Sequence, residues 1–134
     1  MTNDPSIREL LEAAELVAAR AHCPYSKFHV GAAVRAADDR IFTGCNVENA
    51  SYGLTICAER AAIFRAVAAG CRVFKAIAIV ADGTAVPFPC GACRQVLAEF
   101  CGPELPVIIA NQGRLDTVQT LTLGELLPHT FRLL

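Results

Sequence analysis

From residue 7 the apolar positions Ile7, Leu10, Leu11, Ala14, Val17, Ala18 and Ala21 recur at helical spacing, while Arg8, Glu9, Glu12, Glu15 and Arg20 fall mostly off that stripe. Recurrence at three and four residues marks one buried face of a helix. Ser6 and Glu9 fit a capping box, serine at the N-cap and glutamate three positions on. Pro24 disfavours helix at Cys23, so this helix is predicted to stop near His22. Two β-rich runs, His29 to Ala36 and Arg40 to Cys45, flank Asp38-Asp39 and predict a hairpin. The polar NVENASYG segment (46–53) reads as a loop. A second helix is predicted from Ile56 to Ala69, ahead of Gly70, a natural residue just past a helix end. Lys75 to Ala81 reads as a buried strand and ADGTAVPFP (81–89) as a loop. A third helix is expected from Gly91 to Cys101, closed by Gly102-Pro103. Strands follow at Pro106–Ala110 and Leu115–Thr120, then a short helix at Thr122–Leu127. Strands alternating with helices indicate an α/β domain with helices packed on a sheet. No repeat or linker interrupts residues 1–134, so one domain is expected.

Composition narrows the setting. Hydrophobic residues make up 54% of the 134 positions, apolar for a small protein with a large surface. The apolar runs are short, such as AIAIVA (76–81), whereas a membrane-spanning helix needs roughly 20 residues. The excess is therefore expected to be buried between copies of the chain, with no membrane partner. Net charge is −1 and the basic residues are scattered, which leaves no basic stripe for a nucleic acid. The start MTNDPSIREL has neither a charged leader nor an apolar signal core, so a cytoplasmic location is expected. Seven cysteines in that setting are expected to be reduced thiols, and clustered ones suggest metal or catalysis.

Two stretches carry the chemistry: LTICAERAAI (54–63) and PFPCGACRQVL (87–97). Cys90 and Cys93 form a C-x-x-C pair, and Cys57 offers a third thiol, again at a predicted helix start. Helix N-termini favour thiolate over thiol. Two such termini meeting would build a cage for zinc, which binds sulfur at roughly 2.3 Å and prefers four ligands. Three protein ligands leave one position for water, as in a catalytic site. A structural zinc would instead take a fourth thiolate from Cys23, Cys45, Cys71 or Cys101, residues that otherwise read as small buried hydrophobes. Glu59 favours the catalytic form, because a zinc-bound water needs a partner to take and return protons. Residues i and i+2 diverge on a regular helix. Cys57 and Glu59 therefore share a site only if Cys57 lies in the first turn, with Thr55 as the expected N-cap. Arg60, three residues after Cys57, can donate to the thiolates and offset their charge; Gln95 is a second candidate for that task. His22, His29 and His129 read as surface or packing residues.

With these residues in place, the chain resembles the small, homotetrameric, zinc-dependent cytidine deaminases. The resemblance runs through CPYSKFHVGAAV (23–34), GCNVENASYGLTICAERAAI (44–63), PCGACRQVLAEF (89–100) and ELLPHTF (125–131). It includes the three-cysteine form of the zinc-deaminase signature, with a non-ligand glutamate ahead of P-C-x-x-C. It implies a three-layer α/β/α sandwich around a mixed sheet of about five strands. It implies one Zn²⁺ per chain on Cys57, Cys90 and Cys93, with Glu59 as proton shuttle. Asn46 and Glu48 would bind the ribose hydroxyls, the Ala58 backbone would contact the base, and Phe28 would pack on the pyrimidine. Phe131 would reach into a neighbouring subunit's site, so that active sites are shared within a homotetramer. The implied reaction is hydrolytic deamination of cytidine and 2′-deoxycytidine to the uridines in pyrimidine salvage. Three rivals remain open at this point: a blasticidin-type aminocytosine nucleoside deaminase, a non-catalytic zinc-stabilised interaction subunit, and a C-x-x-C redox protein.

Overall fold

The computed structural model describes residues 4–134. Helix α1 (Pro5–Ala18) is followed by strands β1 (Val30–Ala36) and β2 (Ile41–Cys45). A short 3₁₀ turn (Tyr52–Leu54) leads to α2 (Ala58–Ala68) and β3 (Phe74–Ala81). Then come α3 (Gly91–Phe100), β4 (Pro106–Asn111), β5 (Gln119–Thr122) and α4 (Leu123–Leu126). The sheet order is β2-β1-β3-β4-β5. Only β3 and β4 run parallel, joined through α3; the other neighbours are antiparallel.

Strand parity explains the three layers, because successive side chains point to opposite faces. Ala32, Val34, Ile77, Ile79, Val107 and Ile109 face a core completed by Ala62 and Ile63 of α2 and Leu97 of α3. The intervening Ala33, Ala78, Val80, Ile108 and Ala110 face Leu10, Leu11 and Ala14 of α1. Both faces of the central strands are thus buried, as their nearly unbroken apolar sequences require. The expected α/β/α sandwich with five strands is the observed one.

Several boundaries move, each for a local reason. Asp4, not Ser6, caps α1: its carboxylate accepts from the Ser6 N–H at 2.9 Å and the Ser6 hydroxyl at 2.8 Å, and Pro5 opens the helix. Pro at the first helical position costs no hydrogen bond. The helix ends at Ala18, short of His22, whose N–H donates to the Asn46 carbonyl at 2.9 Å. Leu115 lies outside β5, which starts only at Gln119; it is nonetheless buried against the α1 face.

Two glycines set the spacing between layers. A Cβ on Gly31 would lie 2.0 Å from the Ala14 carbonyl oxygen of α1. A Cβ on Gly44 would lie 2.4 Å from the Ala62 nitrogen and 2.7 Å from the Ala58 carbonyl oxygen. Neither backbone contact can yield without shifting a helix. Gly44→Ala is therefore expected to push the first turn of α2 off β2 and to cost about 3 kcal/mol. Calorimetry would register this as a fall in Tm of roughly 10 °C. An unchanged Tm would mean that α2 does not sit this close.

Candidate active site

Helices α2 and α3 both begin with a cysteine. Cys57 is the N-cap of α2 and Cys90 the N-cap of α3, and neither makes a side-chain capping hydrogen bond. Thr55 is therefore not the cap; its hydroxyl accepts from the Asn49 N–H at 3.2 Å and stays with the preceding loop. With Cys57 at the cap and Glu59 in the first turn, the i, i+2 pair escapes the divergence of a regular helix. Cys93 lies in the first turn of α3 and is buried.

The three sulfurs converge. Cys57 Sγ is 3.7 Å from Cys90 Sγ, Cys90 Sγ is 3.5 Å from Cys93 Sγ, and all three lie within 4.8 Å of one another. These separations are too long for a disulfide. Three ligands of a tetrahedral zinc at about 2.3 Å would sit about 3.8 Å apart, so the triangle fits the ion in size as well as in donor chemistry. The Cys57 thiol is pulled down to about 5, first by hydrogen bonding with Cys93 and, against burial, by Arg60 and Cys90. The same bond with Cys57, together with burial, raises Cys93. Arg60 Nη2 donates to Cys57 Sγ at 3.5 Å, while its buried Nε has no hydrogen-bond partner. A guanidinium held this way stabilises a thiolate cluster. None of Cys23, Cys45, Cys71 and Cys101 joins the triangle among the described residues, which leaves no fourth thiolate for a closed structural site.

Glu59 is buried, 5% exposed, and lies outside the ligand triangle. Burial pushes its carboxyl up to about 7, with the Cys57 charge adding to the rise. It lines a cavity of about 230 Å³ with Cys57, Cys90, Ala58, Asn46 and Phe28. Sequence reading missed four other lining residues as site residues: Val30, Thr55, Pro87 and Phe88. Phe88 stands one residue from the PCGAC motif, a signal that was present but carried no periodicity.

The remaining candidates lie as follows. Asn46 is buried and turned to the backbone: Oδ1 accepts from Val30 N–H at 2.9 Å, and Nδ2 donates to the Phe28 carbonyl at 2.7 Å. Glu48 accepts from the Tyr25 N–H, the Ser26 N–H and the Ser26 hydroxyl, outside the cavity lining. Gln95 Nε2 donates to the Phe131 carbonyl at 3.0 Å. That contact places Gln95 toward the C-terminal segment. Phe131 is 66% exposed and does not line its own chain's cavity. Arg94, unflagged in the sequence, holds the loop before Cys90 by donating to the carbonyls of Pro89 and Leu126, each at 2.7 Å.

The profile of the cytidine and deoxycytidylate deaminase zinc-binding region matches residues 5–109. The cytidine deaminase of Sporosarcina psychrophila is 46% identical over 125 residues, covering 93% of this chain and 90% of the relative. That of Halalkalibacterium halodurans is 48% identical over 126 residues, with the same coverage. The crystal structure of cytidine deaminase from Burkholderia pseudomallei superposes with a TM-score of 0.87 at 48% identity, covering 92% of this chain and 98% of that one. With a profile match across most of its length and near relatives at this identity, the chain belongs to the cytidine and deoxycytidylate deaminases, and its three converging thiols are a zinc site.

Proposed function

We propose that this protein hydrolyses cytidine and 2′-deoxycytidine to uridine and 2′-deoxyuridine, taking up one water and releasing one ammonia. The observation that carries this reading is a buried carboxyl, Glu59, beside a three-thiol metal triangle at the foot of an apolar cavity. Bound there, zinc supplies the Lewis acidity that brings the pKa of a coordinated water toward about 7. Cys57, Cys90 and Cys93 hold the ion, and Arg60 withdraws charge from Cys57 so that the thiolates do not quench that acidity. Glu59 accepts a proton and delivers it to N3 of the cytosine ring, which makes C4 electrophilic. After the oxygen has added to C4, Glu59 passes a second proton to the exocyclic amine, and ammonia leaves. A carboxyl near 7 is matched to both halves of this task at neutral pH.

Phe28 and the Ala58 backbone line the cavity where the base would lie. Asn46 and Glu48 are the proposed ribose contacts; Asn46 lines the cavity and anchors the Phe28 segment, and Glu48 anchors the loop before it. We assign the exposed Phe131 side chain to a neighbouring subunit's site within a homotetramer. Support comes from other exposed apolar side chains, among them Leu16, Val73 and Leu133. No helix among the described residues is long and apolar enough to cross a membrane. The seven free cysteines support a reducing, cytoplasmic setting.

The test is a purified-enzyme assay with cytidine, deoxycytidine and blasticidin S, following ammonia release, with zinc and molar mass measured on the same sample. Turnover of both nucleosides by a zinc-loaded tetramer is expected. Exclusive action on blasticidin S would move the chain to the aminocytosine branch. No ammonia release from any substrate would leave only the non-catalytic zinc subunit, and a fully active monomer would remove Phe131 from the site.

A further inference from the structure

The two aromatic residues of the cavity come from separate parts of the chain. Phe28 precedes β1, and Phe88 lies in the loop between β3 and α3. Phe88 is about half exposed and lines the cavity. His29, between Phe28 and Val30, lies just ahead of β1 and outside the cavity lining. There it meets Asp82, the first residue after β3. The His29 N–H donates to Asp82 Oδ1 at 3.1 Å, and His29 Nδ1 lies 2.8 Å from Asp82 Oδ2. The Asp82 N–H in turn donates to the His29 carbonyl at 3.0 Å. A carboxylate only accepts, so Nδ1 is the donor of its pair. Three hydrogen bonds thus join the residue next to Phe28 to the residue that opens the Phe88 loop.

That loop is fixed at two further points. Asn111 Nδ2 donates to the Ala85 carbonyl at 2.9 Å, and Arg94 Nε donates to the Pro89 carbonyl at 2.7 Å. The Phe28 segment is fixed equally well: its N–H donates to the Ser26 hydroxyl at 3.0 Å, and its carbonyl accepts from Asn46. Each wall is thus fixed within its own segment, and the His29–Asp82 contact, one step beyond the Val30–Ala81 pair of the β1–β3 ladder, adds a side-chain bond between them. Neither His29 nor Asp82 lines the cavity.

We infer that His29 and Asp82 are positioning residues that hold the Phe28 and Phe88 walls of the cavity in place, with Phe88 the second aromatic contact of the base. This rests on the reading of the cavity as the nucleoside site. Cys57, Cys90 and Cys93 sit at the starts of α2 and α3 and make no hydrogen bond with His29 or Asp82, so loosening the tie is expected to widen the base slot while the metal stays. The effect belongs in substrate binding rather than in chemistry.

The experiment is steady-state kinetics with cytidine on zinc-loaded protein, with Tm and zinc content as companions. His29→Ala removes the ring bond alone and is expected to raise KM about fivefold; Asp82→Ala removes both acceptors and is expected to raise it about twentyfold, with kcat within about twofold in both. His29→Asn places an amide N–H where Nδ1 was and is expected to restore KM to within about twofold of the parent. Phe28→Ala and Phe88→Ala are each expected to raise KM at least as much as His29→Ala. If Phe28→Ala raises KM but His29→Ala and Asp82→Ala do not, the tie is refuted while the cavity reading survives. If Phe28→Ala also leaves KM unchanged, the cavity reading itself fails. Equal losses in kcat and Tm without a KM change, or no rescue by asparagine, would mark a merely structural contact and overturn the inference.

Discussion

Glu59→Gln is expected to lower kcat for cytidine by about four orders of magnitude while leaving one zinc per chain. Glutamine matches glutamate in shape, so the buried first turn of α2 stays packed. It cannot carry the two protons of the proposed reaction, one from water to N3 and one from the added oxygen to the departing amine. In the proposed reaction both transfers pass through the same carboxyl, so the loss is expected in kcat rather than in KM. Zinc stays because the carboxylate lies outside the sulfur triangle. Metal analysis alongside the rate decides the matter. Retained near-full activity would remove Glu59 from the mechanism, and loss of zinc with activity would make it a ligand.

Cys90→Ala is expected to abolish activity by another path, through loss of the ion. Cys90 is the most exposed of the three thiols and stands at the N-cap of α3 with no side-chain capping hydrogen bond. Two remaining sulfurs do not hold zinc against dilution. Ion binding is folding free energy for a site that the unfolded chain lacks. Its loss is expected to cost about 4 kcal/mol of apparent stability at a free zinc level a thousandfold above Kd. Calorimetry of the parent with excess chelator should then coincide with that of the variant. A variant that still holds stoichiometric zinc would show that the triangle is not the ligand set.

The parts of this molecule legible in its sequence are those decided by near neighbours. The central strands carry unbroken apolar runs and appear within a residue or two of their predicted ends. The zinc triangle was legible because C-x-x-C spacing puts two thiols in one helical turn, and because Glu59 forced Cys57 to a helix start. What was hidden depends on partners far along the chain. α1 stops early because the His22 N–H is taken by Asn46, and no local signal announces that exchange. Ser6 looked like a cap because its type and spacing were right, yet Asp4, with Pro5 behind it, was nearer the true end. Leu115 is as apolar as any strand residue, but it plugs a core from a turn. The Asn46 side chain is spent on the Phe28 and Val30 backbone, and Gln95 on the Phe131 carbonyl, choices made by loop geometry rather than by residue type.

The crossover through α3 has a consequence for the order of events when the chain folds. The antiparallel β1–β2 pair closes through a short turn, whereas the parallel β3–β4 pair needs a long crossover connection, here the one that carries α3. Cys57 belongs to the first portion of the chain and Cys90 to the crossover, 33 positions later. A bound ion would thus clasp the start of α2 to a long-range crossover, a kind of pairing that is intrinsically slow to form. A clasp that closes last does little to hasten folding and much to delay unfolding. Metal supply would then be recorded chiefly in the lifetime of the folded protein, not in the speed at which it is made.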